Sequence, residues 1–255
     1  MNHSKEAILI LAHGSRDTIA VQEFLFFSEE FKNHIGLSVE IVTAFLELST
    51  PSIPQALKAL QEKGVRKITA IPYFLFRAGH VKEEIPEMLD KFRKENPEVE
   101  VVYGNSLWPH PNLTQLAKRR IRDALESFPE EVRKDVEVMV VGRGATDKEA
   151  LQQFSEAVEE LKKEIVCKNL KFSFIALAEP KYSEFLPAIL KSGTKNLIIF
   201  PYYLFTGILV KRIDAIAEES QKNVLGATIK ITPHFGLDPL MLDMLKDRIL
   251  ETSLS

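Results

Sequence analysis

The feature that most limits what this chain can fold into is that it is written twice. The stretch "PYFLFRAGHV", Pro72 to Val81, returns as "PYYLFTGILV", Pro201 to Val210. The offset of 129 residues (201 − 72) also joins Gly64 to Gly193 and Pro51 to Pro180, and an offset of 130 joins Gly14 to Gly144 and Asp17 to Asp147. "LAHGSRD" thus lies over "VGRGATD", and "ELSTP" over "ALAEP". A repeat this long is a domain-sized half rather than a solenoid module. Whatever fold one half adopts, the other must share. The seam is expected near "SFPEEVRKD", Ser127 to Asp135, which is charged and carries a proline, giving domains 1–128 and 129–255.

Each half alternates two kinds of segment. "AILILA", "VEIVTAF", "KITAIPYFLF" and "VEVVYG" are short β-branched or aromatic runs of the kind that form buried strands, and "VEVMVVG", "KFSFIAL", "NLIIFPYYLF" and "TIKIT" repeat them. Between them Ile53, Ala56, Leu57 and Leu60 recur at helical spacing, as do Ile85, Met88, Leu89 and Phe92. Phe24, Phe27 and Phe31 share the same period and are read as core. Thr50 followed by Pro51 reads as a helix N-cap with proline at the first helical position. Nearly continuous apolar strands alternating with helices predict an α/β fold: two similar domains, each a parallel sheet flanked by helices, with a cleft between them.

The totals narrow the function. A net charge of −3 over 255 residues leaves no broad basic face for nucleic acid or an anionic membrane. The single cysteine, Cys167, excludes an internal disulfide and any CxxC motif, as suits a reducing cytosol. The only apolar run near the start, Ala7 to Ala12, is too short for a signal-peptide core or a membrane span. A cytoplasmic protein with no membrane partner is expected, and a monomer is the default, since duplication can replace a symmetric dimer.

In open α/β sheets ligands bind outside the carboxyl ends of the strands. His13 follows the first strand, Glu47 the second and His80 the third, with His110 after the fourth. The aligned places in the second half hold Arg143 for His13, Ala176 for Glu47 and Leu209 for His80. Glycines and prolines of the scaffold persist while these polar groups do not, which points to function in one copy only. Two imidazoles and a carboxylate suit either of two tasks: ligation of a divalent first-row metal, or proton transfer near neutrality. The lack of a third strong ligand disfavours a closed structural zinc site. His3 and His34 are expected to be solvated, and Trp108 to serve the core or a hinge. His110 and His234 are weaker candidates for lining the cleft.

"AHGSR", "FLELSTPSI" and "PYFLFRAGHVKEEIP" resemble the class II chelatases that act on sirohydrochlorin, and "VGRGATD" with "PYYLFTGILV" resembles the degenerate half of their two-domain members. The likeness spans essentially the whole chain. It implies a ferrochelatase or cobaltochelatase of siroheme and cobalamin synthesis, working without ATP or an organic cofactor, with the divalent metal as substrate. The family's paired histidines and glutamate fall on His13, His80 and Glu47, which the resemblance makes both catalytic and metal-binding. The partner it implies is the tetrapyrrole itself. Ser15, Arg16 and Lys82, with Arg143 across the cleft, are candidate donors to its carboxylates, as are backbone N–H groups of the "HGSR" turn. Some cobalt-specific relatives end in a histidine-rich stretch and a cysteine cluster; this chain ends in "DRILETSLS", which favours iron. Two other classes keep a place: a non-catalytic tetrapyrrole or metal carrier, and a histidine phosphatase, although the latter places arginine before its histidine where this chain has Ala12.

Overall fold

The computed structural model describes residues 5–36 and 39–253; His3 lies outside them. Each half supplies four strands. The first half runs β1 (Lys5–Ala12), α1 (Thr18–Ile35), β2 (Glu40–Phe45), α2 (Ile53–Glu62), β3 (Val65–Pro72), a π-helical turn (His80–Glu84), α3 (Ile85–Glu95), β4 (Glu100–Tyr103) and α4 (Pro111–Glu126). The second runs α5 (Glu130–Arg133), β5 (Glu137–Gly142), α6 (Lys148–Glu164), β6 (Asn169–Phe174), α7 (Tyr182–Lys191), β7 (Asn196–Pro201), α8 (Ile208–Asn223), β8 (Thr228–Ile231) and α9 (Pro239–Ser253). The sheets are ordered β2-β1-β3-β4 and β6-β5-β7-β8, and every pairing is parallel. Two parallel four-stranded sheets flanked by helices are what the alternating pattern called for.

The core follows from the period-2 alternation of β1, which is sandwiched between neighbours and buried on both faces. Leu9 and Leu11 pack with Ile53, Leu57 and Leu60 of α2 and with Ile85 and Leu89 of α3. Phe24, Phe27 and Phe31 of α1 are buried, Phe27 against the ring of Tyr73 at 4.7 Å. The start of α2 differs from the expectation at Thr50. Its cap is Ser52, whose hydroxyl accepts from the Gln55 N–H while the Gln55 side chain accepts from the Ser52 N–H, and the proline of the first turn is Pro54. The Pro51 carbonyl is engaged elsewhere, accepting from the Phe45 N–H at the end of β2.

The compact units do not follow the seam of the repeat. One comprises residues 1–108 and 237–255, the other 109–236. The helix closing each half packs on the sheet of the other: α4 lies against α6 and β7, and α9 against α1, β3 and β4. The expected boundary, 1–128 and 129–255, thus describes the sequence repeat, while the spatial units exchange their last helices. In the first unit Gly104 gives α9 room. A Cβ there would meet the Thr252 hydroxyl at 2.4 Å and an Ile71 methyl at 2.6 Å. Arg248 donates to the Leu107 carbonyl at 3.0 Å, and His34, exposed as expected, also pairs with Asp243 at 2.7 Å. Trp108 is buried, and His110 is a cap, its Nδ1 accepting from the Asn112 N–H at the start of α4. Among the described residues no helix is long and apolar enough to cross a membrane.

In the second unit the buried carboxylate of Glu137 accepts from Lys171 Nζ at 2.8 Å and from the Thr194 hydroxyl at 2.9 Å, with Lys168 at 3.6 Å. Burial alone would raise its pKa; the hydrogen bonds from Lys171 and Thr194 and the two lysine charges outweigh burial and lower it. A carboxylate whose pKa is lower folded than unfolded contributes stability above its ordinary value of about 4.3, lost as pH falls through the folded value. Urea titrations across that acidic range are therefore expected to show a steeper loss of stability for the natural chain than for Glu137→Gln.

Candidate functional site

The order β2-β1-β3-β4 has its switch point between β1 and β3, where the chain first moves to one side of β1 and then returns to the other. Such points leave a crevice at the carboxyl edge of the sheet. His13 leaves β1 and His80 lies in the segment after β3, so the two imidazoles flank the switch point. Glu47 follows β2, on the other side of β1.

Backbone pairing continues past the strands and fixes these positions. The Leu46 N–H donates to the Ala12 carbonyl at 2.8 Å and the Glu47 N–H to the His13 carbonyl at 3.0 Å, while the Tyr73 N–H donates to Leu11 at 2.7 Å. Gly14 makes this possible. It has φ +89°, and a Cβ there would sit 1.9 Å from the Glu47 carbonyl oxygen. Next to Glu47, exposed Leu48 has φ +62°, the one described non-glycine residue with positive φ. Such backbone costs roughly 1–2 kcal/mol and concentrates at functional sites. The corresponding Leu177 of the second unit instead donates its N–H to the Arg143 carbonyl at 3.2 Å.

The rings of His13 and His80 stand edge to face, with centroids 5.1 Å apart. His13 Nδ1 faces the Gly14 carbonyl at 3.3 Å, and Nε2 is 3.5 Å from Glu47 Oε1. A carbonyl only accepts, so Nδ1 carries the proton of that contact and the Nε2 lone pair of a neutral ring is turned toward a carboxylate. Two electron-rich atoms so placed are reconciled by a cation between them, a proton or a metal ion. His80 Nδ1 is 2.7 Å from Glu84 Oε1. His80, His13 and Glu47 therefore meet in pairs. Among the described residues no three His, Cys, Asp or Glu side chains are already gathered as a formed metal site.

Of the other candidates, Arg16 is exposed and Lys82 half-buried beside His80. Ser15 belongs to the turn itself: its N–H donates to Ser49 Oγ and its hydroxyl accepts from the Asp17 N–H. One backbone donor of the "HGSR" turn, the Ser15 N–H, is thus engaged within the protein. Arg143 is exposed at the end of β5 in the second unit, where its charge opposes the upward shift that burial imposes on the Tyr203 phenol. Sequence reasoning passed over Tyr103, whose hydroxyl donates to the Val81 carbonyl at 3.1 Å and ties β4 to the turn that carries His80. Burial pushes that phenol far above its ordinary pKa, partly countered by Arg77, so it stays a donor. An alternating strand predicts which face Tyr103 takes but not which carbonyl it reaches.

The CbiX family model matches residues 7–124 and again residues 137–252. The chain belongs to the CbiX family. It is 30% identical over 250 residues to a sirohydrochlorin cobaltochelatase of Priestia megaterium, covering 98% of this chain and 80% of that one. It is 27% identical over 249 residues to a sirohydrochlorin ferrochelatase of Bacillus subtilis, covering 98% and 92%. The structure of SirB from Bacillus subtilis with Fe3+ superposes with a TM-score of 0.83 at 27% identity, over 97% of this chain and 95% of that one. The two family matches are the two halves of the repeat, and the helix exchange leaves that internal likeness intact.

Gly14→Ala is expected to destabilise the chain by roughly 2–4 kcal/mol, in the upper range for single substitutions. The same change at Gly36, which has open space around it, should be milder. Urea denaturation of both variants measures the difference.

Proposed function

We propose that this protein is a sirohydrochlorin chelatase, inserting a divalent first-row metal, Fe2+ or Co2+, into the macrocycle. The observation that carries this reading is the pair of imidazoles 5.1 Å apart at the switch point, one of them 3.5 Å from a carboxylate. Family membership supports it, and the relatives include enzymes named for each metal.

Insertion exchanges two pyrrole N–H protons for one dication, so the site must both present a metal and accept protons. Imidazole nitrogen binds Fe2+ and Co2+ well enough to hold the ion, yet two imidazoles bind weakly enough to release it to a four-nitrogen macrocycle. In this mechanism His13 and His80 hold the incoming metal through Nε2 on one face of the ring. Glu47 completes the ligation or takes a pyrrole proton, and its half-exposed position lets it pass that proton to water. The metal is consumed as a substrate, and no organic cofactor enters any step. Arg16 and Lys82 are proposed donors to the substrate's carboxylates, with Arg143 a third candidate on the second unit and Ser15 a weaker one, since its hydroxyl already serves the turn.

The second half supplies a fold-neutral control. Leu209 occupies the place of His80 in a loop of nearly the same sequence, so His80→Leu should fold normally. With sirohydrochlorin and limiting Fe2+ or Co2+ under anaerobic conditions, the absorption change on metalation is expected to slow on the order of 10²-fold in that variant. Turnover close to that of the natural chain would remove His80 from the mechanism. A natural chain that binds the tetrapyrrole without metalating it with either ion would make the protein a carrier.

A further inference from the structure

The segment around His80 contains a second asymmetry between the halves. His80 to Glu84 form a π-helical turn in which the Ile85 N–H bonds to the His80 carbonyl, five residues back. The cause is in the sequence. Pro86 lacks the N–H that an α-helix would direct at the Lys82 carbonyl, and its ring crowds that oxygen, so the turn ahead of it widens. In the second half no proline occurs in this helix, and α8 runs without such a turn from Ile208 to Asn223.

The widened turn brings the side chains at its two ends together, His80 Nδ1 to Glu84 Oε1 at 2.7 Å. An ionised carboxylate only accepts, so this bond places the ring proton on Nδ1 and the lone pair on Nε2. The second half has neither member of the pair: Leu209 replaces His80, and only Lys211 and Arg212 lie between the buried Val210 and Ile213, which stand for Val81 and Ile85. A glutamate kept only to solvate a helix start has no reason to disappear with the imidazole; one that serves the imidazole does. Neighbouring Glu83 is exposed.

We infer that Glu84 is a positioning residue for His80: it fixes the Nδ1–H tautomer and the ring orientation, leaving Nε2 as the ligating atom. Carboxylates in this relation to a metal-ligating histidine also raise its basicity, and their loss typically weakens metal affinity 10- to 100-fold. The role in metal binding rests on the chelatase reading above, whereas the tautomer is a property of the protein alone.

The experiment uses the full chain and its Glu84→Ala and Glu84→Gln variants, with His80→Leu to assign the His80 resonances. Long-range 1H–15N correlation spectra of the metal-free proteins, at alkaline pH where imidazoles are neutral, report the tautomer. In the natural chain His80 is expected in the Nδ1–H form, and in Glu84→Ala to shift mainly to the Nε2–H form. A Co2+ titration should then show a dissociation constant raised about 10- to 100-fold. The amide oxygen of Glu84→Gln still accepts from Nδ1 but carries no charge, so that variant should keep the tautomer and lose only part of the affinity. A His80 tautomer unchanged in Glu84→Ala overturns the proposal, as does cobalt affinity within about twofold of the natural chain. Failure of the natural chain to metalate sirohydrochlorin would count against the chelatase reading only, because neither measurement requires turnover.

Discussion

Everything at the candidate site depends on β1 being paired in parallel on both sides and on that pairing running beyond the strands. The bonds from Leu46 to Ala12, from Glu47 to His13 and from Tyr73 to Leu11 are backbone bonds, indifferent to the side chains they carry. They seat His13, Glu47 and the loop after β3 side by side without asking these side chains to hold themselves in place. Exposed polar side chains are poor structural anchors, since solvent competes for each of their contacts. A sheet edge has the opposite property. The second unit retains the same pairing, with Ile175 bonded to Gly142 and Ala176 to Arg143, while Arg143 and Ala176 stand where the first has His13 and Glu47. Scaffold and chemistry are separable in this fold, and the duplicate is the internal demonstration.

Much of this could be read from the residues because parallel sheets have a strong signature. Continuous apolar strands, helices at regular intervals and the repeat offset together dictated the architecture. Since all carboxyl ends of a parallel sheet share one edge, His13, Glu47 and His80 could be assigned to that edge with no knowledge of side-chain contacts. The apolar spacing of Phe24, Phe27 and Phe31 likewise announced a buried face.

What escaped the sequence has physical reasons of its own. An amphipathic pattern says which face of α4 or α9 is buried but not against which sheet, so the exchange of terminal helices was invisible. Thr50 and Ser52 are both competent caps, and the choice fell to Ser52 because Pro51 is already bonded to Phe45. His110, read as a possible cleft residue, proved to be a cap, a task usually given to Ser, Asp or Asn. Glu83 and Glu84 are adjacent acids in "HVKEE", and only the wide turn ahead of Pro86 selects the second of them as the partner of His80.

The crossing of the closing helices makes neither half self-sufficient. A polypeptide severed at the seam of the repeat would yield two fragments, each with part of one apolar sheet face bared and carrying the lid that belongs to its sibling. Each would reach its native burial only by recruiting the other. A half-length chain built on the same plan would meet this requirement only by pairing with a second copy, and carrying both halves in one chain turns an encounter between molecules into a tether within one. Tethered in this way, the two copies need not be identical, and their sheet-edge side chains can differ without costing either half its cover.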